Sequence, residues 1–285
     1  MTETNAGYPT GMITRIEAHK NHERFLDEVA PSPVMMKLKD ARRVVQRGET
    51  ADSYCGEETV VIVTTTQDDA SLSEASWNEE VDVLREFEPD FAIPTDYPTY
   101  DDDDPDDRRE HIESCMTGAV YVREELAGED VETRLMPLLK GSTEAERRIC
   151  YEVFEAVGWE CAAFYSAQYF TGQQGGRLWE LVDDIETIVE ETDGDLPMVL
   201  IGTLAEFTLK KLPPEVIAAA GMHRWRTAVE PATADADAME REYGRIESSV
   251  EQALGHDGEV VRPQAVESDG SDAPDEQGDN GRAAE

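Results

Sequence analysis

The residues best suited to chemistry are polar groups that follow short apolar runs. Asp96 ends one such run, Phe91-Ala92-Ile93-Pro94-Thr95, and lies between Pro94 and Pro98 with Tyr97 and Tyr100 beside it. A carboxylate flanked by aromatics can accept the ring N–H groups of a planar base while a tyrosine stacks on the ring. An aspartate in that place can equally cap the next helix or bond its own loop, and both roles stay open. Lys140-Gly141 follows the run at 135–139 and offers a cation to a phosphate or carbonyl, or an aliphatic stem to the surface. Gln168-Tyr169 follows the run at 161–165 and can bond a ligand amide or carbonyl, or serve only its loop. Gly202-Thr203 closes the run at 198–201. His223-Arg224-Trp225-Arg226 mixes cations with an aromatic, as phosphate and base contacts do, or as a rim of packed side chains would. Asp68 and Asp90 are further acids close to apolar runs.

Metal chemistry finds less support. The four consecutive acids at 101–104 lack the spacing with which oxygen ligands surround a hard cation, and read as a hydrated loop. The five histidines, His19, His22, His111, His223 and His256, show no HExxH or other ligand spacing. Cys55, Cys115, Cys150 and Cys161 form no CxxC pair and read as reduced, packed thiols. The expectation is therefore no metal and no organic cofactor.

Elements must hold these groups in place. Apolar runs at 11–18, 33–38, 59–66, 91–96, 135–139, 161–165, 198–201 and, weakly, 225–229 read as strands, the first as an edge strand. Helical patterns lie between them, at 79–87, 105–126, 143–157, 178–191, 213–220 and 239–254, with Gly158 as a helix stop. Near-continuous apolar strands suit a parallel sheet covered on both faces. No GxGxxG or GKT/GKS turn follows the early strands, which argues against a doubly wound sheet. The expected fold is α/β, a (β/α)8 TIM-like barrel over 11–254, complete or irregular, with a flexible stretch at 1–10. Catalytic groups of such a barrel lie where strands lead into helices, which is where the residues above fall. The segment 255–285 is dominated by Asp, Glu, Gly, Ser, Pro and Ala and is expected to be disordered.

Among 285 residues, 64 are acidic and 25 basic, a net charge of −39, and only six of the cations are Lys. Such a chain repels itself in dilute buffer and is relieved at molar salt, where the Debye length falls to about 3 Å. It resembles proteins of haloarchaea and their viruses. The acids are spread along the chain instead of forming one block, which favours salt adaptation over mimicry of a nucleic acid. Salt adaptation hides the basic footprint of nucleic-acid binding, so that class is not excluded. No run approaches the ~20 apolar residues of a membrane span and the N-terminus carries no secretory pattern, so a cytoplasmic protein without membrane contact is expected.

Four stretches together resemble a known family. The segment Glu88-Pro89-Asp90-Phe91-Ala92-Ile93-Pro94-Thr95-Asp96-Tyr97-Pro98-Thr99-Tyr100 resembles the substrate-recognition strand of tRNA-guanine transglycosylases, where an acid follows an apolar strand and a proline-rich turn. Pro31-Ser32-Pro33-Val34-Met35-Met36 resembles the opening strand of that family. Met136-Pro137-Leu138-Leu139-Lys140-Gly141 is similar to its strand ending in a glutamine-glycine pair. Leu196-Pro197-Met198-Val199-Leu200-Ile201-Gly202-Thr203-Leu204 is similar to its strand ending in glycine-threonine-proline. The stretches occur in the family's order.

The resemblance implies a (β/α)8 barrel that exchanges guanine in a polynucleotide for a 7-deazaguanine base. One aspartate attacks the sugar C1′ and expels guanine, the incoming base displaces that aspartate, and a second acid reads the heterocycle. Dividing one displacement into two lowers each barrier, and the target base must first leave any stack. Asp96 would be the base-reading acid, with Tyr97, Tyr100, Lys140, Gly141, Gln168, Gly202, Thr203 and His223 as substrate contacts. Two places depart from the family. Thr64-Thr65-Thr66-Gln67 stands where an aspartate-serine-glycine-glycine turn should follow the second strand, with Asp68 just beyond it. Gly221-Met222-His223-Arg224-Trp225-Arg226 aligns with the nucleophile segment and contains no Asp. The zinc-binding cysteines of the family are absent too. Either the nucleophile is relocated, to Asp68 or Asp90, in a divergent enzyme acting on DNA or RNA, or the chain is a non-catalytic paralogue. The latter would bind nucleic acid or join a catalytic homologue in an oligomer.

Overall fold

Among the described residues, short runs of Val, Ile, Met and Ala build eight parallel strands: β1 (Gly11–Ile16), β2 (Val34–Lys37), β3 (Val61–Thr64), β4 (Phe91–Ile93), β5 (Arg134–Leu135), β6 (Ala162–Tyr165), β7 (Met198–Ile201) and β8 (Val216–Gly221). Ten described α-helices separate or follow them: α1 (Lys20–Val29), α2 (Leu38–Val45), α3 (Ala51–Cys55), α4 (Trp77–Phe87), α5 (Pro105–Ala127), α6 (Glu144–Val157), α7 (Leu178–Glu191), α8 (Glu206–Leu209), α9 (His223–Val229) and α10 (Ala236–Leu254). This computed structural model describes residues 7–66, 76–100, 103–128, 131–170 and 177–255. The expectations for Asp68, His256 and the tail beyond 255 fall outside the described residues, as do Asp101 and Asp102.

The sheet runs in the order β5-β4-β3-β2-β1-β8-β7-β6. Register is regular: Arg15 faces Met35, Lys37 faces Thr64, Thr64 faces Ile93 and Tyr165 faces Ile201. The outermost strands also approach each other. A parallel bridge joins Leu138 to Ala163, with the Leu139 N–H donating to Ala163 O at 2.9 Å and the Ala163 N–H to Pro137 O at 2.8 Å. The result is an all-parallel, curled α/β sheet compatible with a TIM-like barrel.

Local chemistry explains the element ends. In α6 the Thr143 side chain accepts from the Glu146 N–H while the Glu146 carboxylate accepts from the Thr143 N–H, and Gly158 ends the helix in the left-handed region. In α10, Met239, Tyr243, Ile246, Val250 and Leu254 are the buried stripe read from the sequence. The strand cores, from Ile13 and Met35 to Val63, Ile93 and Leu200, are fully withdrawn from water, each large side chain contributing about 1.5–3 kcal/mol of burial.

Three elements differ from expectation. Residues 11–16 form an interior strand, flanked by β2 on one side and β8 on the other. The eighth strand is Val216–Gly221, where a helix was expected, and 223–229 is a helix where a strand was expected. Ala218, Ala219 and Ala220 suit a helix by propensity, but this run lies wholly buried between β1 and β7, where small side chains fit. A short buried strand has no period that distinguishes it from a helix. Trp225 is fully buried in α9, stacked on Phe25 at 4.4 Å, and its Nε1–H donates to Arg15 O at 3.0 Å. It is a core residue and not a base contact. Among the described residues, no helix is long and apolar enough to cross a membrane.

Candidate functional site

The C-terminal strand ends open into a cavity of about 830 Å³, the position at which parallel α/β sheets gather ligands. Its lining comes from β1 (Arg15), β2 (Lys37), the segment after β3 (Thr66), the 96–100 loop, the 138–142 segment, β6 and the turn after it, and α6 and α7.

Asp96 lines it, placed by an unusual backbone. Thr95 adopts φ +45°, a left-handed conformation that a β-branched residue rarely takes. The Glu80 carboxylate holds it there, accepting from the Thr95 N–H at 3.0 Å and from Thr95 Oγ1–H at 3.2 Å. The Cys115 thiol donates to Thr95 O at 2.8 Å. Gly118 leaves the necessary space, since a Cβ there would come within 2.4 Å of Thr95 Cγ2. Backbone strain of this kind is worth roughly 1–3 kcal/mol, and here it directs the next side chain, Asp96, into the cavity. Burial raises the Glu80 pKa to about 7 despite its two bonds to Thr95, with the Asp96 charge adding to the rise.

Asp96 faces Lys140. Oδ1 and Nζ are 2.6 Å apart, with only 9% and 11% of the two side chains exposed. The ammonium thus occupies Asp96 Oδ1, and among the described residues no other donor reaches that oxygen. Lys140 Nζ also donates to Tyr97 O at 2.6 Å, and lies 3.4 Å from Thr99 Oγ1. Burial is the largest single influence on Lys140 and would lower its pKa; the Asp96 charge and hydrogen bond, together with the nearby Cys115 and Cys150, outweigh it and hold the ammonium above its ordinary value.

The remaining expected residues divide clearly. Tyr97, Tyr100, Lys140, Gly141 and Gln168 line the cavity with Asp96. Tyr97 stacks on His111, whose Nδ1–H donates to Pro98 O at 2.6 Å. Gly141 sits at φ +115°, and a Cβ there would meet the Glu146 Cβ at 2.7 Å, so only glycine lets α6 start this close to the pocket floor. Tyr169 also lines the cavity, donating to Asp184 Oδ2 at 2.5 Å and stacking on Phe164. By contrast Gly202, Thr203 and His223 are not among the lining residues. Gly202 packs on the Ala167 backbone, Thr203 Oγ1 accepts from the Ala205 N–H at 3.1 Å, and His223 is an exposed first residue of α9. Asp90 stands at the N-terminal end of β4, away from the cavity, with Oδ2 accepting from the Val61 N–H at 2.7 Å. It ties β3 to β4.

Several lining residues escaped sequence reasoning, above all the cations. Arg15, Lys37, Arg147 and Arg177 join Lys140, against Asp96 and Asp184 as the described lining carboxylates. Among the described lining residues that is five cations to two acids, where the chain as a whole has a large excess of acid. Arg15 and Lys37 did carry a signal, as charges set within otherwise apolar strands. Arg147 makes a two-pronged pair with Glu191, at 2.7 and 2.6 Å, and links α6 to α7. Among the described residues, no group of three or more His, Cys, Asp or Glu could hold a metal ion. Compared with known proteins, the chain matches no family model and no curated relative.

Proposed function

We propose that the sheet closes as a (β/α)8 barrel and that its cavity binds a guanine-like base carried on a nucleic acid, as part of a transglycosylase-like exchange of guanine for a 7-deazaguanine. The observation that carries this reading is the buried Asp96–Lys140 pair in an aromatic-walled cavity at the strand ends. Guanine presents a carbonyl acceptor beside two N–H donors along one edge. A carboxylate next to an ammonium offers the complementary set: Asp96 accepts from the N–H groups and Lys140 donates to the carbonyl. Tyr97 and Tyr100 supply flat faces for the ring. An 830 Å³ cavity has the size of a small-molecule or nucleotide site.

In the exchange, a second carboxylate would form a bond to C1′ as the guanine nitrogen leaves, and the incoming base would then break that bond. Asp68 follows the cavity residue Thr66 by two positions and is the candidate for that role. Asp90, at the other end of its strand, is not.

One observation favours a second reading, a paralogue that binds without chemistry. Among the described lining residues the further carboxylate is Asp184, already engaged by the Tyr169 hydroxyl. The experiment that separates the two is release of labelled guanine from a polynucleotide in molar salt. Exchange by the wild-type chain that Asp68→Asn and Asp96→Asn each abolish supports the enzyme. Binding of the polynucleotide without any release supports the paralogue. Exchange that persists in Asp96→Asn removes the assignment of Asp96.

A further inference from the structure

We infer that the β1–β2 wall of the cavity is a phosphate subsite, in which Arg15, assisted by Lys37, takes the phosphate group of a nucleotide. The inference rests on the reading above only for what the phosphate is attached to, and not on how the base is recognised.

Register places the two cations together. Arg15 pairs with Met35 on the neighbouring strand, so Lys37, two residues further on, points to the same face of the sheet. Both line the cavity. The backbone of Arg15 is fixed by its pairing with β2, by the β8 pairing that ends at the preceding Thr14, and by the Trp225 Nε1–H on its carbonyl.

Arg15 differs from the other guanidinium and ammonium groups here. Lys140 has Asp96 and Arg147 has Glu191. The Arg15 guanidinium makes no hydrogen bond or ion pair with any described residue. Burial pulls its pKa down, while Tyr165 and Glu17 act the other way from a distance. Arginine nonetheless keeps its proton, so a half-buried charge lines the cavity with its donors unused by any described residue. A partly desolvated cation without a counter-charge is unfavourable by itself. A ligand that brings two or three anionic oxygens would satisfy the planar fork, and phosphate matches it in geometry. The acidity of the chain strengthens the case. With a net charge of −39, the protein repels anions at long range, and local cations must overcome that at the point of contact.

The test uses the full chain in molar potassium chloride with three probes: guanosine 5′-monophosphate, guanosine and inorganic pyrophosphate. Calorimetric titration should show the monophosphate binding about tenfold tighter than guanosine, the scale of one charge-assisted contact. Pyrophosphate alone should raise the melting temperature. In Arg15→Met the phosphate advantage and the pyrophosphate shift should both disappear, while guanosine affinity is unchanged. The unliganded variant should melt no lower than wild type, because an uncompensated charge has been removed; a merely structural arginine would give the opposite. Should Arg15→Met fail to fold, Lys37→Met must weaken the phosphate advantage in its place. Equal affinity for nucleotide and nucleoside, no response to pyrophosphate, or a phosphate advantage intact in Arg15→Met would overturn the subsite. A pyrophosphate shift that Arg15→Met abolishes, with no guanosine binding in either protein, leaves the subsite standing and defeats the base reading instead.

Discussion

Two walls of one cavity treat a buried cation in opposite ways. On the β4–β5 side, Lys140 lies 2.6 Å from Asp96 and its charge is reinforced. On the β1–β2 side, Arg15 is half-buried, touches no carboxylate among the described residues, and burial lowers its pKa. The first wall is electrostatically complete without a ligand and is held in shape by Glu80, Thr95 and Cys115 behind it. The second is complete only when something anionic arrives. A counter-charge inside the fold fixes the geometry of the first wall in advance of any ligand, whereas the second leaves its cation for the ligand to neutralise.

The largest effect should come from breaking the complete wall. Lys140→Met leaves a buried Asp96 charge without a partner, and should lose about 3–5 kcal/mol of stability. Urea denaturation in molar salt measures it, and added Asp96→Leu should recover much of the loss. Arg15→Met, on the other wall, should lose none. Were the two single variants to lose stability equally, the contrast between the walls would be wrong.

Next comes the support behind Asp96. Glu80 has a folded pKa of about 7 against an ordinary 4.5. A raised carboxylate pKa means that the folded state binds the proton more tightly. Its contribution to stability is therefore fully present below 4.5 and is lost as pH rises to about 7, up to about 3 kcal/mol. Glu80→Gln should flatten that part of the stability–pH curve; an unchanged slope between the two proteins would remove Glu80 as its source. Gly141→Ala should cost about 1–3 kcal/mol through strain and overpacking against α6. It should also shift Lys140, seen as weaker base binding. The smallest effect belongs outside both walls. Asp90→Ala loses one bond to the Val61 N–H, about 1 kcal/mol, and should leave ligand binding as it was. A loss of binding in that variant would bring Asp90 back into the site.

Much of the frame was legible in the chain. Strand–helix alternation gave a parallel sheet, and Thr143, Glu146 and Gly158 marked both ends of α6. The segment 213–229 was misread because buried alanines carry no period and Trp225 is amphipathic in type but wholly internal in place. At the site, Asp96, Lys140, Tyr97, Tyr100, Gly141, Gln168 and Tyr169 could be found as polar groups after apolar runs. The same rule also selected Gly202, Thr203 and His223, which turn elsewhere, because a strand end fixes a neighbourhood but not the direction of a side chain. Arg15 and Lys37 were overlooked for the opposite reason: they lie within strands, and only the register shows that both face the same space. Glu80 carried no local signal, since its partner is 15 residues away in sequence.

The most direct measurement is a crystal structure of the chain with 7-deazaguanine bound in high salt. The base should lie in the cavity at the strand ends, its N–H edge within hydrogen-bond reach of Asp96 and its carbonyl toward Lys140. A base bound elsewhere, or Asp96 and Lys140 still closed on each other with the ligand out of reach, would contradict that placement.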